Sequence, residues 1–209
     1  METVIDDEKH AQVKLYNKYF SEKIKKYEWT IICDLDEFIY SRKEFKTIKD
    51  YLNTVNKEVS QIAINWKIFG SNGFNTLDKK EPDSVIDSFT KRINYNKKKD
   101  FQGVSKINGD IKMNSCKCII RNSKVLKLHI HSSNINSGLT TDSNNNQIIK
   151  HLPFIPCNEN ILNSQNLHLN HYTIRSLDWF TRVKMKRGSA ANQTNTNIKS
   201  RINYFKNLI

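Results

Sequence analysis

The sequence predicts an α/β fold, and three observations carry the prediction. Stretches with helical spacing alternate with apolar runs of strand length, the most apolar of those runs stops at the glycine turn "GSNG", and another runs straight into a cluster of acids. Ala11, Leu15, Tyr16, Tyr19, Phe20 and Ile24 recur at helical spacing over residues 8–27, so an amphipathic helix comes first. Thr30 to Cys33 reads as a strand. "FKTIKDYLNTVNK" follows as a helix with Ile48, Tyr51, Leu52 and Val55 on one side, and "SQIAINWKIFG" as a strand ending at Gly70.

Further along, "SVIDSFTKRINYNKKKD" is a helix or strand ending in lysines, and "CKCIIRNSKVLKLHIH" reads as a hairpin turning at Asn122 and Ser123. Residues 132–166 are rich in Asn and Ser, contain Pro153 and Pro156, and are expected to be mostly surface loop. Ser176 caps a last helix, "SLDWFTRVKMKRG", stopped by Gly188, and a basic tail with a further short helix closes the chain.

The 209 residues suit a single domain. No apolar run approaches the ~20 residues of a membrane span, and "METVIDDEKH" is no signal peptide, so a cytoplasmic location is expected. Cys33, Cys116, Cys118 and Cys157 are too few and too unevenly spaced for a disulfide framework. The net charge of +13 is spread along the chain among asparagines and isoleucines rather than clustered, which argues against a specific nucleic-acid partner and suits a diphosphate-bearing substrate. A basic nucleic-acid-binding fragment without catalysis is one alternative.

In "WTIICDLDEFIY" an apolar strand meets Asp34, Asp36 and Glu37. Alternation along a strand puts Asp34 and Asp36 on one side, where a hard cation such as Mg²⁺ or Mn²⁺ relieves their repulsion and shares its coordination with phosphates. Helix capping by solvated acids is the plainer account. The pattern also resembles the nucleophile motif of the haloacid dehalogenase-like phosphatases, with Asp34 as nucleophile and Asp36 as general acid. That motif wants Thr or Val where Phe38 stands, and no later pair of acids follows an apolar run.

The blocks "WTIICDLDEFI", "INWKIFGSNGF", "CKCIIRNSKVLKLHIH" and "LNHYTIRSLDWFTRVKMKRG" resemble, in order and spacing, those of the glycosyltransferase family 2-like proteins grouped with glycosyltransferase family 92. The resemblance runs from about Gln12 to Gly188. It implies a GT-A fold, a mixed sheet flanked by helices, and a hexosyltransferase-type enzyme. Such an enzyme moves sugar, with inversion, from a nucleotide-sugar donor to a glycan or glycoprotein acceptor. On this resemblance Asp34, Asp36 and His171 hold Mn²⁺ or Mg²⁺, while Glu37, Arg175, Lys184 and Arg187 serve the donor. Arg175 stands where the family pattern has Lys. Trp66, Phe69, Gly70, Asn72 and Gly73 form the acceptor-side turn, and His129 or His131 lines the active site.

Cys116, Cys118, His129 and His131 would share a hairpin face, but spread along its ladder they strain any single tetrahedral zinc site. The sequence does not identify the general base; Asp78 and Asp87 follow the acceptor turn. Only one helix precedes Asp34, whereas a GT-A domain places several strands there. The resemblance therefore implies a partial domain lacking its first nucleotide-binding strands, which a partner polypeptide would supply.

Overall fold

The sheet grows around one strand that has no solvent face. A computed structural model describes residues 5, 12–76, 84–96, 105–108, 111–149, 153–185 and 205. In chain order the elements are α1 (Gln12–Phe20), a 3₁₀ turn (Lys23–Lys26), β1 (Trp29–Ile31), β2 (Glu37–Ser41), α2 (Ile48–Leu52) and β3 (Val59–Ile68). Next come α3 (Val85–Ser88), β4 (Ser105–Asn108), β5 (Ile111–Arg121), β6 (Val125–Lys127), β7 (Asn134–Ile135), β8 (Leu139–Asp142) and β9 (Phe154–Pro156). The chain continues with α4 (Glu159–Ser164), β10 (Leu167–His171) and α5 (Leu177–Trp179), the last extended by a π-helical turn over Phe180–Lys184.

β3 is buried at every position except the half-buried Trp66, as a strand covered on both faces must be. Antiparallel β5 lies along one side of it, with Ile62 opposite Ile119 and Ile64 opposite Lys117. The other side is shared by two parallel strands, β8 against Val59–Ala63 and β10 against Trp66–Ile68. Gly138 opens β8 at φ +90°, and any Cβ there would meet the Ser60 hydroxyl and the Glu58 carbonyl, so only glycine fits.

The main path of the sheet runs β1-β5-β3-β10-β2. β1 and β2 thus sit at opposite ends although only residues 32–36 separate them in sequence. A flat sheet would hold its end strands roughly 19 Å apart at the usual strand spacing. The linker instead contains a turn, closed by the Glu37 N–H donating to the Asp34 carbonyl at 3.0 Å. The sheet therefore curls, and the acid turn bridges its two ends. Inside the curl pack Ile62, Ile64, Ile119, Leu167 and Leu169, with Trp29, Ile31 and Ile39 beside them.

Several expectations are corrected. The second helix is short: the Thr47 hydroxyl and Asp50 carboxylate form a capping box at Ile48, and the helix ends at Leu52 rather than continuing to Lys57. "CKCIIRNSKVLKLHIH" is not a hairpin, because β6 pairs with β7 rather than with β5. Asn-Ser lacks the positive-φ preference of a tight hairpin turn. The Asn122 amide instead donates to the carbonyls of Ile24 and Tyr27, anchoring the chain to the amino-terminal segment. Residues 132–166, expected to be mostly surface loop, also carry the short elements β7, β8, β9 and α4, and bury Thr141, Ser143, Ile155 and Leu162. Asp78, Arg187 and most of the basic tail lie outside the described residues; Phe205 is buried against Phe180. Among the described residues no helix is long and apolar enough to cross a membrane.

Candidate active site

The acids stand in the bridging turn, not on a strand, so alternation does not place them side by side. Asp34 faces one cation and Asp36 another. The Asp34 carboxylate lies 3.1 Å from Lys117 Nζ, and the same ammonium lies 3.4 Å from Glu37 Oε2. Lys117 is fully buried on β5, in the inward row with Ile119, because its cross-strand partner Ile64 faces the interior of the curl. Burial opposes its charge, yet the Glu37 and Asp34 carboxylates outweigh that and hold the ammonium above its usual range. Glu37 also accepts from the Asp34 N–H at 2.9 Å, which ties both ends of the turn together. Burial pushes the Glu37 carboxyl up to about 7, against the pull of Lys117.

Asp36 looks the other way. Its oxygens lie 3.7 Å from His171 Nε2 and 3.6 Å from Lys184 Nζ, both too long for hydrogen bonds. The Asp36 carbonyl accepts from the Tyr172 N–H at 2.8 Å, and the His171 carbonyl accepts from the Phe69 N–H at 3.0 Å. Those two backbone bonds join the acid turn, the end of β10 and the end of β3 into one wall. The Trp66 ring sits between two imidazoles, 4.2 Å from that of His171 and 5.2 Å from that of His131. Burial, with Lys184 second, lowers His171 to about 3, so its imidazole is neutral at physiological pH.

This wall leaves buried polar atoms without partners: Glu37 Oε1, Trp66 Nε1 and His171 Nδ1. Buried polar groups are nearly always hydrogen-bonded, so these three atoms are available to a ligand. Alongside, a cleft of about 240 Å³ between α1 and β1 is lined by Tyr16, Phe20, Ile24, Ile31, Cys33 and Leu128, and leads toward the acid turn.

Of the residues the sequence singled out, the structure brings together Asp34, Asp36, Glu37, Trp66, His131, His171 and Lys184. Phe69, Gly70, Asn72 and Gly73 form the adjoining turn. Phe69 stacks on Tyr172, Asn72 sits at φ +54° with its amide donating to the Ser88 carbonyl, and Gly73 at φ +84° faces open space. Asp87 lies on α3, which Asn72 grips through Ser88. Arg175 packs over the Trp179 ring, 4.8 Å away, with its Nε unpaired. His129 is held by its backbone N–H, which donates to the Ser133 hydroxyl at 3.2 Å. The Cys116 and Cys118 side chains pack in an apolar cluster with Ala63 and Ile120, and the contact of Cys116 with a histidine is through its carbonyl, 2.9 Å from His131 Nδ1. Among the described residues no group of His, Cys, Asp and Glu is drawn tightly enough to supply three or more ligands to a metal.

The sequence reasoning missed Lys117. A strand lysine usually faces water, but this one directly follows Cys116 in an otherwise apolar stretch, and its alternation with Ile119 was the available signal.

A curled mixed α/β sheet of this kind is consistent with a glycosyltransferase domain. The chain matches the model of glycosyltransferase family 92 over residues 15–204 and belongs to that family. It is therefore a glycosyltransferase enzyme, and the match favours glycosyl over phosphoryl transfer. No curated protein matches it.

Proposed function

We propose that this chain moves a sugar, with inversion, from a nucleotide-diphosphate donor to a glycan or glycoprotein acceptor at the Asp36–His171 wall, with Mn²⁺ or Mg²⁺ bound there. The observation that carries the reading is the approach of the neutral His171 and of Lys184 to the Asp36 carboxylate, at 3.7 and 3.6 Å, with His171 Nδ1 buried and partnerless. The residues fit such an ion. Asp36 and the neutral His171 approach closely without bonding each other, which leaves room for one ion to touch both. Two protein donors are what a hard divalent ion needs when phosphates and water fill its other positions. Asp34 is engaged by Lys117 on the β5 side of the turn, so the two protein ligands would be Asp36 and His171, with Asp34 adding negative charge nearby. The bound ion would supply charge neutralisation for the leaving diphosphate.

Lys184 stands where it can add a second positive charge to that diphosphate. Trp66 Nε1 and the exposed Gly73 turn are placed to meet sugar hydroxyls. The apolar cleft between α1 and β1 suits the donor base, and the free outer edge of β1 is where a partner polypeptide would add strands to complete that pocket.

The test is nucleotide-sugar turnover and transfer by the purified chain with Mn²⁺, with chelator, and with Asp36→Asn. Turnover with Mn²⁺ that chelator and Asp36→Asn both abolish is expected. Activity indifferent to both treatments overturns the metal role.

A further inference from the structure

His168 is two strand positions from Asn170 and faces away from His171, so it lies on the opposite side of β10 from the acid wall. There it is held between cations. Lys67 Nζ lies 2.6 Å from its Nδ1 and Arg42 Nη1 lies 2.6 Å from its Nε2. The Leu162 carbonyl is 2.7 Å from Nε2, and the Tyr40 hydroxyl is 3.2 Å from Nδ1. An imidazole has one acceptor nitrogen when neutral and none when protonated. With Nε2–H donating to Leu162, Nδ1 serves Lys67 and the Arg42 N–H faces another donor. In the other tautomer Nδ1–H faces the Lys67 ammonium. Arg42 Nη1 also donates to the Asn163 carbonyl at 3.1 Å, but its second N–H and the Lys67 ammonium still compete for the single acceptor nitrogen of the ring.

The charge count makes the same point. Lys67 is 7% exposed and His168 4%, with Arg42 half-buried beside them. The nearby carboxylate is Glu159, and Arg92 holds it through both oxygens at 2.8 and 2.6 Å. Among the described residues no carboxylate pairs with Lys67 or Arg42. Buried positive charge of this kind is costly unless an anion meets it.

We propose that Lys67, Arg42, His168 and Tyr40 form a binding site for a phosphoryl oxyanion on the outer face of the β3-β10-β2 part of the sheet, separate from the acid wall. An oxyanion accepts from the Arg42 N–H, the Lys67 ammonium and the Tyr40 hydroxyl together, which removes the donor conflict at His168. The way in is along β2, the terminal strand, where Tyr40 is 40% exposed. Free phosphate and the phosphate of a sugar monoester share this chemistry.

The experiment is thermal unfolding of the purified chain in chelator, titrated with inorganic phosphate and, separately, with glucose 6-phosphate, against chloride at equal ionic strength. Inorganic phosphate should raise Tm saturably, on the order of 5 °C at roughly a hundredfold excess over its Kd. Lys67→Met and Arg42→Gln should each lose that rise, while Asp36→Asn keeps it, which separates this site from the donor site. A matching rise with glucose 6-phosphate extends the site to monoesters, and its failure confines the site to free phosphate; both agree with the proposal. Absence of a saturable phosphate effect in the wild type, or an undiminished effect in both cation variants, overturns it.

Discussion

Lys117 and Asp34 lie 83 residues apart in sequence and 3.1 Å apart in space, and this contact holds the acid turn between the two ends of the curled sheet. The lysine is fully buried, Glu37 shares its ammonium at 3.4 Å, and no water reaches either side chain. Removing one partner of such a pair strands the other. Lys117→Met should therefore lower stability by about 3–5 kcal/mol, because the Glu37 carboxylate would be left buried without a cation. Adding Glu37→Gln to Lys117→Met should recover part of that loss, a non-additivity expected of residues in contact. Urea unfolding of the wild type and the two variants checks both statements, and a loss under 1 kcal/mol for the single variant would show that the cation is dispensable.

Trp66 joins the interior of the curl to the acid wall. Its ring packs against both flanking apolar clusters and contacts His171 and His131. Trp66→Ala should lower stability by about 3–5 kcal/mol through the cavity it leaves. Trp66→Phe keeps an aromatic ring between the two clusters and should retain most of that stability at the cost of a smaller cavity, yet raise KM for the acceptor through loss of the indole N–H. Unfolding and steady-state kinetics on the same two variants separate packing from substrate contact; equal KM for Trp66→Phe and wild type would assign the residue to the core alone.

The order of the first helices and strands and the position of the acids could be read from sequence, because β3 and the "WTIICDLDEFIY" stretch advertise themselves through local composition. What could not be read depends on contacts far apart in the chain. The expected side-by-side acids assumed that a strand continues to Asp36, whereas β1 stops at Ile31 and the turn sends Asp34 to β5 and Asp36 to β10. The false hairpin had the same origin. β-rich runs around Asn122 pair with whatever tertiary structure presents, and here Asn122 is bonded to the segment before β1. Lys67 and Lys117 share a residue type with the solvated lysines around them, and only strand register shows that Lys117 enters the curl while Lys67 is buried on the sheet's other face.

Burial, with Arg92 and Arg42 nearby, lowers Lys67 to about 8, and His168 and Tyr40 face it from β10 and β2 while Glu159 pulls weakly the other way. Between pH 8 and the ordinary lysine value the unfolded chain holds a proton that the folded chain has released. Stability therefore rises with pH across that window. Measured without phosphate, the wild type should gain on the order of 2 kcal/mol relative to Lys67→Met between about pH 7 and pH 10. Parallel pH profiles for the two proteins would show that Lys67 titrates normally and is not confined as described.

Lys184 offers the sharpest separation of function from stability. It sits on the π-helical turn Phe180–Lys184, a distortion that occurs frequently at functional sites, and reaches to 3.6 Å from Asp36. The separation is too long for a hydrogen bond and the side chain is 35% exposed, so the ion pair contributes little to folding. Lys184→Met should leave the urea midpoint within about 0.5 kcal/mol of wild type. Its positive charge, however, points where the proposed leaving diphosphate gathers charge, and removing one such group typically costs about a hundredfold or more in kcat. Lys184→Arg, which keeps the charge on a different fork, should retain intermediate activity. Turnover is measured with saturating donor so that kcat is read separately from donor affinity. A Lys184→Met enzyme with wild-type kcat would place this lysine among the solvated residues of its helix, and a destabilised one would show that its contact with Asp36 belongs to the fold.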